Sequence, residues 1–300
     1  MSDDRPGFAA WVASGRPIRR QDALGDMVSA LREAGVDLPA LDARLLFCAA
    51  LGIEPVDLMR DPMLEVSASR LDRLELMLAR RQNREPVSRI LGKRGFWSLD
   101  LIVTPDVLDP RADSETIISA AIACFVETQN EPLAIADLGV GSGALLCALL
   151  EVFPSARGVG VDISSAACAV TRANLMELDQ SARAEIRCGP WLAAQPGPYD
   201  LIVSNPPYIP SAEIERLDPE VRNFDPRLAL DGGADGLDAY RELTGILPGL
   251  LAKKGRAILE IGFDQAEAVQ QLIVGAGMNF VGLHRDLSGL PRAVSATLAN

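Results

Sequence analysis

The sequence predicts an α/β fold: an open, mainly parallel sheet with helices on both faces, preceded by a small helical bundle and joined to it by a β-hairpin. Three observations carry this. Apolar residues recur at helical spacing up to about residue 85; a short stretch then alternates at a period near two; and after about residue 115 short apolar runs alternate with helical ones. The corresponding domains are 1–85, a hairpin linker at 86–108 and a larger domain at 109–300.

The elements follow in order. Leu24, Met27, Val28 and Leu31 fall at i, i+3, i+4 and i+7, and Leu71, Leu74 and Leu78 at i, i+3 and i+7, so each group marks one face of an amphipathic helix. Ser67 or Ser69 is a candidate cap for the second. Ala40 to Ala50 reads as another helix and Pro55 to Arg60 as a short one. Such stripes ordinarily mean core, and the functional version of the bundle is one that recognises a partner. Glu85-Pro86 breaks the pattern. Gly95 to Val103 mixes aromatic and β-branched residues as a strand or hairpin does. Beyond it, Leu133 to Asp137, Gly158 to Asp162, Asp200 to Ser204 and Ala257 to Ile261 are short, apolar and closed by Gly, Asp or Asn, as strands buried on both faces are. Ser142 to Phe153, Ser164 to Glu177 and Gln265 to Gly275 read as the helices between. In such a sheet the ligand crevice lies outside the carboxyl ends of the strands.

Composition narrows the function. Three hundred residues, 48% hydrophobic and 23% charged, suffice for a catalytic domain with a smaller companion. The 41 acidic against 29 basic residues give a net charge of -12, which opposes the phosphate contacts that drive nucleic-acid affinity, so no direct nucleic-acid binding is expected. The five cysteines are scattered, without disulfide or metal-ligand spacing, and no metal is expected. A single histidine, His284, argues against a histidine-ligated metal or a Ser-His-Asp triad. Met1 to Asp4 shows no signal pattern and no run is long enough to span a bilayer, so no membrane partner and a cytoplasmic location are expected.

Two segments after predicted strands carry chemistry. Asp137-Leu138-Gly139-Val140-Gly141-Ser142-Gly143 opens a helix, where glycines let the chain turn tightly and a ligand approach the backbone. No Lys-Ser or Lys-Thr follows, which argues against a triphosphate loop. Asp162, about twenty residues on, is placed to accept both ribose hydroxyls of an adenosine. The pair suits a dinucleotide or S-adenosylmethionine, and the form Asp-x-Gly-x-Gly-x-Gly favours the second. In that reading the amides of Gly139 to Gly143 line the amino-acid end of the cofactor, and Asp137 receives its ammonium.

The second segment is Asn205-Pro206-Pro207-Tyr208. Two prolines end a strand because each lacks an N–H and fixes φ, so the chain must turn out of the sheet at its carboxyl end. An amide nitrogen is a poor nucleophile because its lone pair is delocalised. The Asn205 side-chain oxygen and the Pro206 carbonyl can each accept one N–H of a target NH2, and Tyr208 offers a flat face to a planar group. Methyl transfer to such a nitrogen needs alignment and desolvation more than a strong base.

Asn-Pro-Pro-Tyr after a Gly-rich loop resembles the signature of methyltransferases acting on planar nitrogens. The wider chain resembles the peptide chain release factor N5-glutamine methyltransferase family (PrmC/HemK). The similar segments are Phe96 to Leu99, Pro110 to Glu115, Asp137 to Gly143, Ile202 to Ile209, Phe224 to Pro226 with Ala229-Leu230, Asp235 to Leu237 with Tyr240-Arg241, and Leu259 to Gly262. The resemblance implies a Rossmann-like, mainly parallel seven-stranded methyltransferase sheet and S-adenosylmethionine as donor. It further implies, as substrate, the glutamine of the Gly-Gly-Gln motif in class 1 peptide chain release factors. Cofactor contacts carry over to Gly139, Val140, Gly141, Ser142, Gly143, Asp162, Trp191 and Asn205, and substrate contacts to Asn205, Pro206, Pro207 and Tyr208. Ala112 and Ser114 stand where the family usually has proline and threonine. Pro190 stands where it has aspartate, which leaves Trp191 and backbone groups to hold adenine. The rival readings are an adenine N6 methyltransferase on nucleic acid, a glutamine methyltransferase for a ribosomal protein, and a docking module without catalysis.

Overall fold

The computed structural model describes residues 17–128 and 130–299; the reading of Met1 to Asp4 lies outside them. The chain divides into two compact units at Gly92/Lys93.

In the first unit a two-residue strand β1 (Ile18–Arg19) pairs antiparallel with β2 (Glu65–Val66). Around them lie α1 (Arg20–Glu33), α2 (Pro39–Leu51), α3 (Pro55–Arg60), α4 (Ala68–Gln82) and α5 (Val87–Leu91). The stripes expected from spacing form the core. Met27, Leu31, Leu71, Leu74 and Leu78 are buried with Leu46 and Phe47, while Leu24 and Val28 pack at its margin. Ser67 occupies the N-cap of α4 in extended backbone, but its hydroxyl makes no capping bond and faces Ser69 Oγ at 3.4 Å. Glu85-Pro86 does interrupt the helices. Of the segment read as a linker, Ile90 on α5 lies in this core.

The second unit opens with an antiparallel hairpin, β3 (Lys93–Phe96) and β4 (Leu99–Ile102). There follow α6 (Glu115–Phe125), β5 (Ala134–Leu138), α7 (Ala144–Val152), β6 (Arg157–Asp162), α8 (Ser165–Glu177), β7 (Ala184–Cys188) and β8 (Tyr199–Ser204). The chain ends with α9 (Pro219–Arg222), α10 (Asp238–Leu250), β9 (Leu251–Glu260), α11 (Ala266–Gly275), β10 (Met278–Arg285) and β11 (Pro291–Leu298). One seven-stranded sheet runs in the order β10-β11-β9-β8-β5-β6-β7. The ladders from β9 to β7 are parallel and β11 is antiparallel to both neighbours.

Side chains on a strand alternate between faces, and here both faces are covered. Ile135, Leu201, Val203 and Ile258 belong to one core, with α6, α7 and the hairpin residues Phe96, Leu99 and Leu101. Ala136, Ile202, Ala257 and Leu259 belong to the other, with Leu243, Leu247, Val269 and Ile273 of α10 and α11. β5 pairs with β6 on one side and β8 on the other, so the strand order reverses there. That reversal opens a crevice at the carboxyl ends of β5 and β8. Among the described residues no helix is long and apolar enough to cross a membrane.

Candidate active site

The crevice holds a cavity of about 340 Å³. Its wall contains Asp137, Gly139, Val140, Gly141, Ser142, Asp162, Trp191, Asn205 and Pro207, drawn from four separate strand ends. Gly143, Pro206 and Tyr208 are not in this wall.

The glycine loop is held from below. The N–H groups of Gly139 and Val140 both donate to Val161 O, at 2.8 and 2.9 Å, and Gly143 N–H donates to Val140 O. On α8, Thr171 Oγ1 donates to Gly141 O at 2.8 Å and Asn174 Nδ2 to Ser142 O at 2.8 Å, while Asn174 also pairs with both backbone groups of Ile102. Several loop amides expected to face a ligand are therefore engaged in shaping the loop. The first turn of α7 adds N–H groups that have no intrahelical partners. Gly143 has φ +85°, and a Cβ there would meet Thr171 Cγ2 at 2.8 Å, so only glycine fits. At Gly139, φ +86°, a Cβ would point at Trp191 Nε1, 3.7 Å away, across the space between loop and indole.

Asp137 lies under this loop, 1% exposed, and neither carboxylate oxygen has a hydrogen bond of ordinary geometry. Burial pushes its pKa up to about 7; the Leu146 N–H lowers it only in part, and the Asp162 charge raises it further. A buried carboxylate without a partner is costly unless a cation arrives. The ammonium of an amino acid is such a cation, so the residues present fit the amino-acid end of S-adenosylmethionine. Asp162 accepts Gly141 N–H on one oxygen and Ser164 N–H on the other, both at 2.9 Å. Each oxygen retains a lone pair for a hydroxyl. Beyond it Ile163, Gly189, Pro190 and Trp191 form an apolar slot.

At the end of β8 the Asn205 Nδ2 donates to Ser114 Oγ at 3.1 Å. The donor side of the amide is thereby tied to the protein and the oxygen side is left for a ligand. Pro206 is buried behind the wall. Tyr208 is half-buried; its phenol donates to Glu260 Oε1 at 3.2 Å, and burial beside that carboxylate pushes its pKa upward. Glu260 is itself 1% exposed, with burial pushing it up to about 7.

The cavity also draws in residues to which sequence reasoning gave no role: Phe96, Val107, Arg111, Ser114, Leu228 and Glu242. The 110–115 and 224–230 segments were noticed only as motif. Their link is an ion pair, Arg111 Nη2 to Asp225 Oδ2 at 2.6 Å, across 114 positions of chain, which no local pattern signals. His284 lies far along the sheet on β10, against Ser295 at 3.1 Å.

Comparison with known proteins gives the family. Residues 22–92 match the PrmC N-terminal domain and residues 114–217 the methyltransferase small domain. The release factor glutamine methyltransferase of Caulobacter vibrioides is 44% identical over 265 residues, covering 88% of this chain and 91% of that protein. That of Rhodospirillum rubrum is 47% identical over 266 residues, covering 89% and 81%. Among solved structures, the hMettl16 catalytic domain in complex with a 3'UTR hairpin aligns with TM-score 0.53 at 10% identity, covering 77% of this chain and 82% of that one, a likeness of fold alone. At this identity, spread over nearly all of both chains, the protein belongs to the release factor glutamine methyltransferase family.

Proposed function

We propose that the enzyme transfers a methyl group from S-adenosylmethionine to N5 of the glutamine in the Gly-Gly-Gln motif of class 1 release factors, in the cytoplasm. The observation that carries this reading is the Asn205 amide, its nitrogen tied to Ser114 and its oxygen left for a ligand, in the wall of a cavity that also contains the buried Asp137 carboxylate. The similarity to enzymes named for this reaction supplies the substrate.

In this reading Asp137 takes the cofactor ammonium and Asp162 its ribose hydroxyls. Gly139, Val140, Gly141 and Ser142 shape the amino-acid end against the base of Gly143, while Trp191 borders adenine. When bound, the cofactor supplies an electrophilic methyl on a sulfonium. Asn205 Oδ1 accepts one N–H of the target amide and the Pro206 carbonyl the other, which turns the nitrogen toward the donor and holds it there. Pro207 excludes water from that approach, and Tyr208, anchored at its hydroxyl, keeps a flat ring beside the amide. The first unit is assigned to recognition of the factor.

Incubation with cofactor carrying a tritiated methyl, separately with a release factor, DNA, RNA and ribosomal protein, tests the assignment. Label is expected on the release factor. Label on nucleic acid instead would transfer the same geometry to adenine N6.

A further inference from the structure

Residues 109–111 pin a strap of chain along the cavity. The Asp109 N–H donates to Asp225 Oδ1 at 3.1 Å and Arg111 Nη2 to Asp225 Oδ2 at 2.6 Å, so each carboxylate oxygen has a donor from the same short segment. The Asp225 side chain is buried while the guanidinium stays partly in water. Arg94 of the hairpin donates to Pro110 O at 3.0 Å and steadies that segment in turn. Further on, the strap is fixed again: Ile209 N–H donates to Leu230 O at 3.0 Å, and Gly232 N–H to Ile209 O at 2.9 Å. Ile209 follows Tyr208 directly. The second anchor therefore sits on the chain that leaves the residues assigned to the target, and on no group assigned to the cofactor.

Between the anchors Arg227–Ala229 makes one 3-10 turn, and Pro226, Leu228 and Ala229 line the same cavity as Asn205. Two leucines on this strap have different fates. Leu230 is buried. Leu228 is 62% exposed and belongs to none of the apolar cores among the described residues. A leucine exposed singly on a surface needs no explanation. This one stands in the wall of a site, where a bound ligand covers it and gains from doing so.

We propose, resting on the function above, that Leu228 contacts the release factor beside the target glutamine, and that Arg111 and Asp225 are positioning residues that hold it there. In that reading the residues preceding the glutamine are glycines, which carry no side chain and let the backbone come close to the leucine. Leu228 covers the incoming chain equally before and during methyl transfer, so its contribution is to binding of the factor and not to the chemical step.

Methylation of a class 1 release factor by the full-length wild type, Leu228→Ala, Arg111→Met, Arg111→Lys and the Leu228→Ala/Arg111→Met double variant tests this, with cofactor Kd by calorimetry and a thermal midpoint for each. Leu228→Ala is expected to raise KM for the factor about tenfold, the low end for removing an apolar contact, with kcat little changed. Its cofactor Kd and thermal midpoint should match the wild type, because the leucine is in no core and lies apart from the groups assigned to the cofactor. Arg111→Met is expected to raise KM by a similar factor, and Arg111→Lys, which keeps a cation for Asp225, to recover part of it. The double variant should be no worse than Arg111→Met alone, because a strap released at Asp225 no longer presents Leu228. Unchanged KM in Leu228→Ala, or a loss matched by weaker cofactor binding, overturns the contact whatever Arg111→Met does to folding. Losses that multiply in the double variant, or that follow the thermal midpoint in Arg111→Met without rescue by lysine, overturn the positioning role. A wild type that leaves the factor unmethylated overturns the function and this inference with it; a wild type that methylates it while Leu228→Ala keeps its KM overturns the inference alone.

Discussion

Asp137 and Asn205 do opposite electrostatic work. Asp137 is a carboxyl whose burial lifts it from its ordinary value of 3.8 to about 7, so the free enzyme near neutral pH holds it partly protonated. A cofactor ammonium favours the ionised form, and binding must then release a proton. Cofactor affinity is expected to rise as pH goes from about 6 to about 7, by at most about tenfold per unit, and Asp137→Asn should flatten that rise. Calorimetry in buffers of different ionisation enthalpy reads the proton directly. The same raised pKa has a sign for stability: between its ordinary value and about 7 the folded chain binds more protons than the unfolded one, so this group's contribution is lost as pH rises through that window. Asn205 by contrast works by direction. Asn205→Ala should cost about a hundredfold in turnover with little change in cofactor affinity. Asn205→Asp keeps size and one acceptor but places a negative charge near the sulfonium, stabilising the cationic ground state more than a transition state in which the cation disperses. Turnover should fall there even if binding tightens, and wild-type rates in both would remove Asn205 from the mechanism.

Among elements, the glycine loop and α8 form one unit. Thr171 supplies a hydroxyl to Gly141 O while its methyl fills the space a Cβ at Gly143 would need. Gly143→Ala therefore carries both a left-handed backbone penalty of about 1–2 kcal/mol and a steric clash. A lowered thermal midpoint and weaker cofactor binding are expected. Adding Thr171→Ser, which removes the methyl and keeps the hydroxyl, should recover part of both; no recovery would mean that backbone strain alone matters.

The same elements explain what was legible in the sequence. β5, β6 and β8 are largely buried on both faces and show as short apolar runs whose boundaries lie close to those expected, whereas β9 begins at Leu251, well before the expected Ala257, because its first half carries Lys253, Lys254 and Arg256 and is not apolar. β7, Ala-Glu-Ile-Arg-Cys at the sheet edge, is only half-buried and carries two charges, so no apolar run marked it. β10 is half-buried or exposed at every residue after Met278, and β1 and β2 are two residues each, too short for any period. In the site, residues directly after a strand were found because a chemical type stood at a predictable place. Ser114 and Glu260 were quoted as motif but given no role, since their contacts, with Asn205 and with Tyr208, join segments 91 and 52 positions apart.

For the molecule as a whole, the groups assigned to the cofactor all lie in the second unit, and the cavity wall does too. Residues 93–300 expressed alone are expected to bind the cofactor with affinity close to that of the whole chain while methylating a folded release factor poorly. Full activity of that fragment on the factor would withdraw the recognition role proposed for the first unit. Division of labour of this kind suits a protein substrate, whose glutamine must enter a small cavity while the rest of the factor is held elsewhere.

The most direct test of the whole account is mass spectrometry of a class 1 release factor after incubation with the full-length enzyme and S-adenosylmethionine, with the Gly-Gly-Gln peptide isolated and fragmented. The account predicts one added methyl, on the side-chain nitrogen of that glutamine, present with the wild type and strongly reduced with Asn205→Ala. An unmodified glutamine, or a methyl on any other residue, would contradict it.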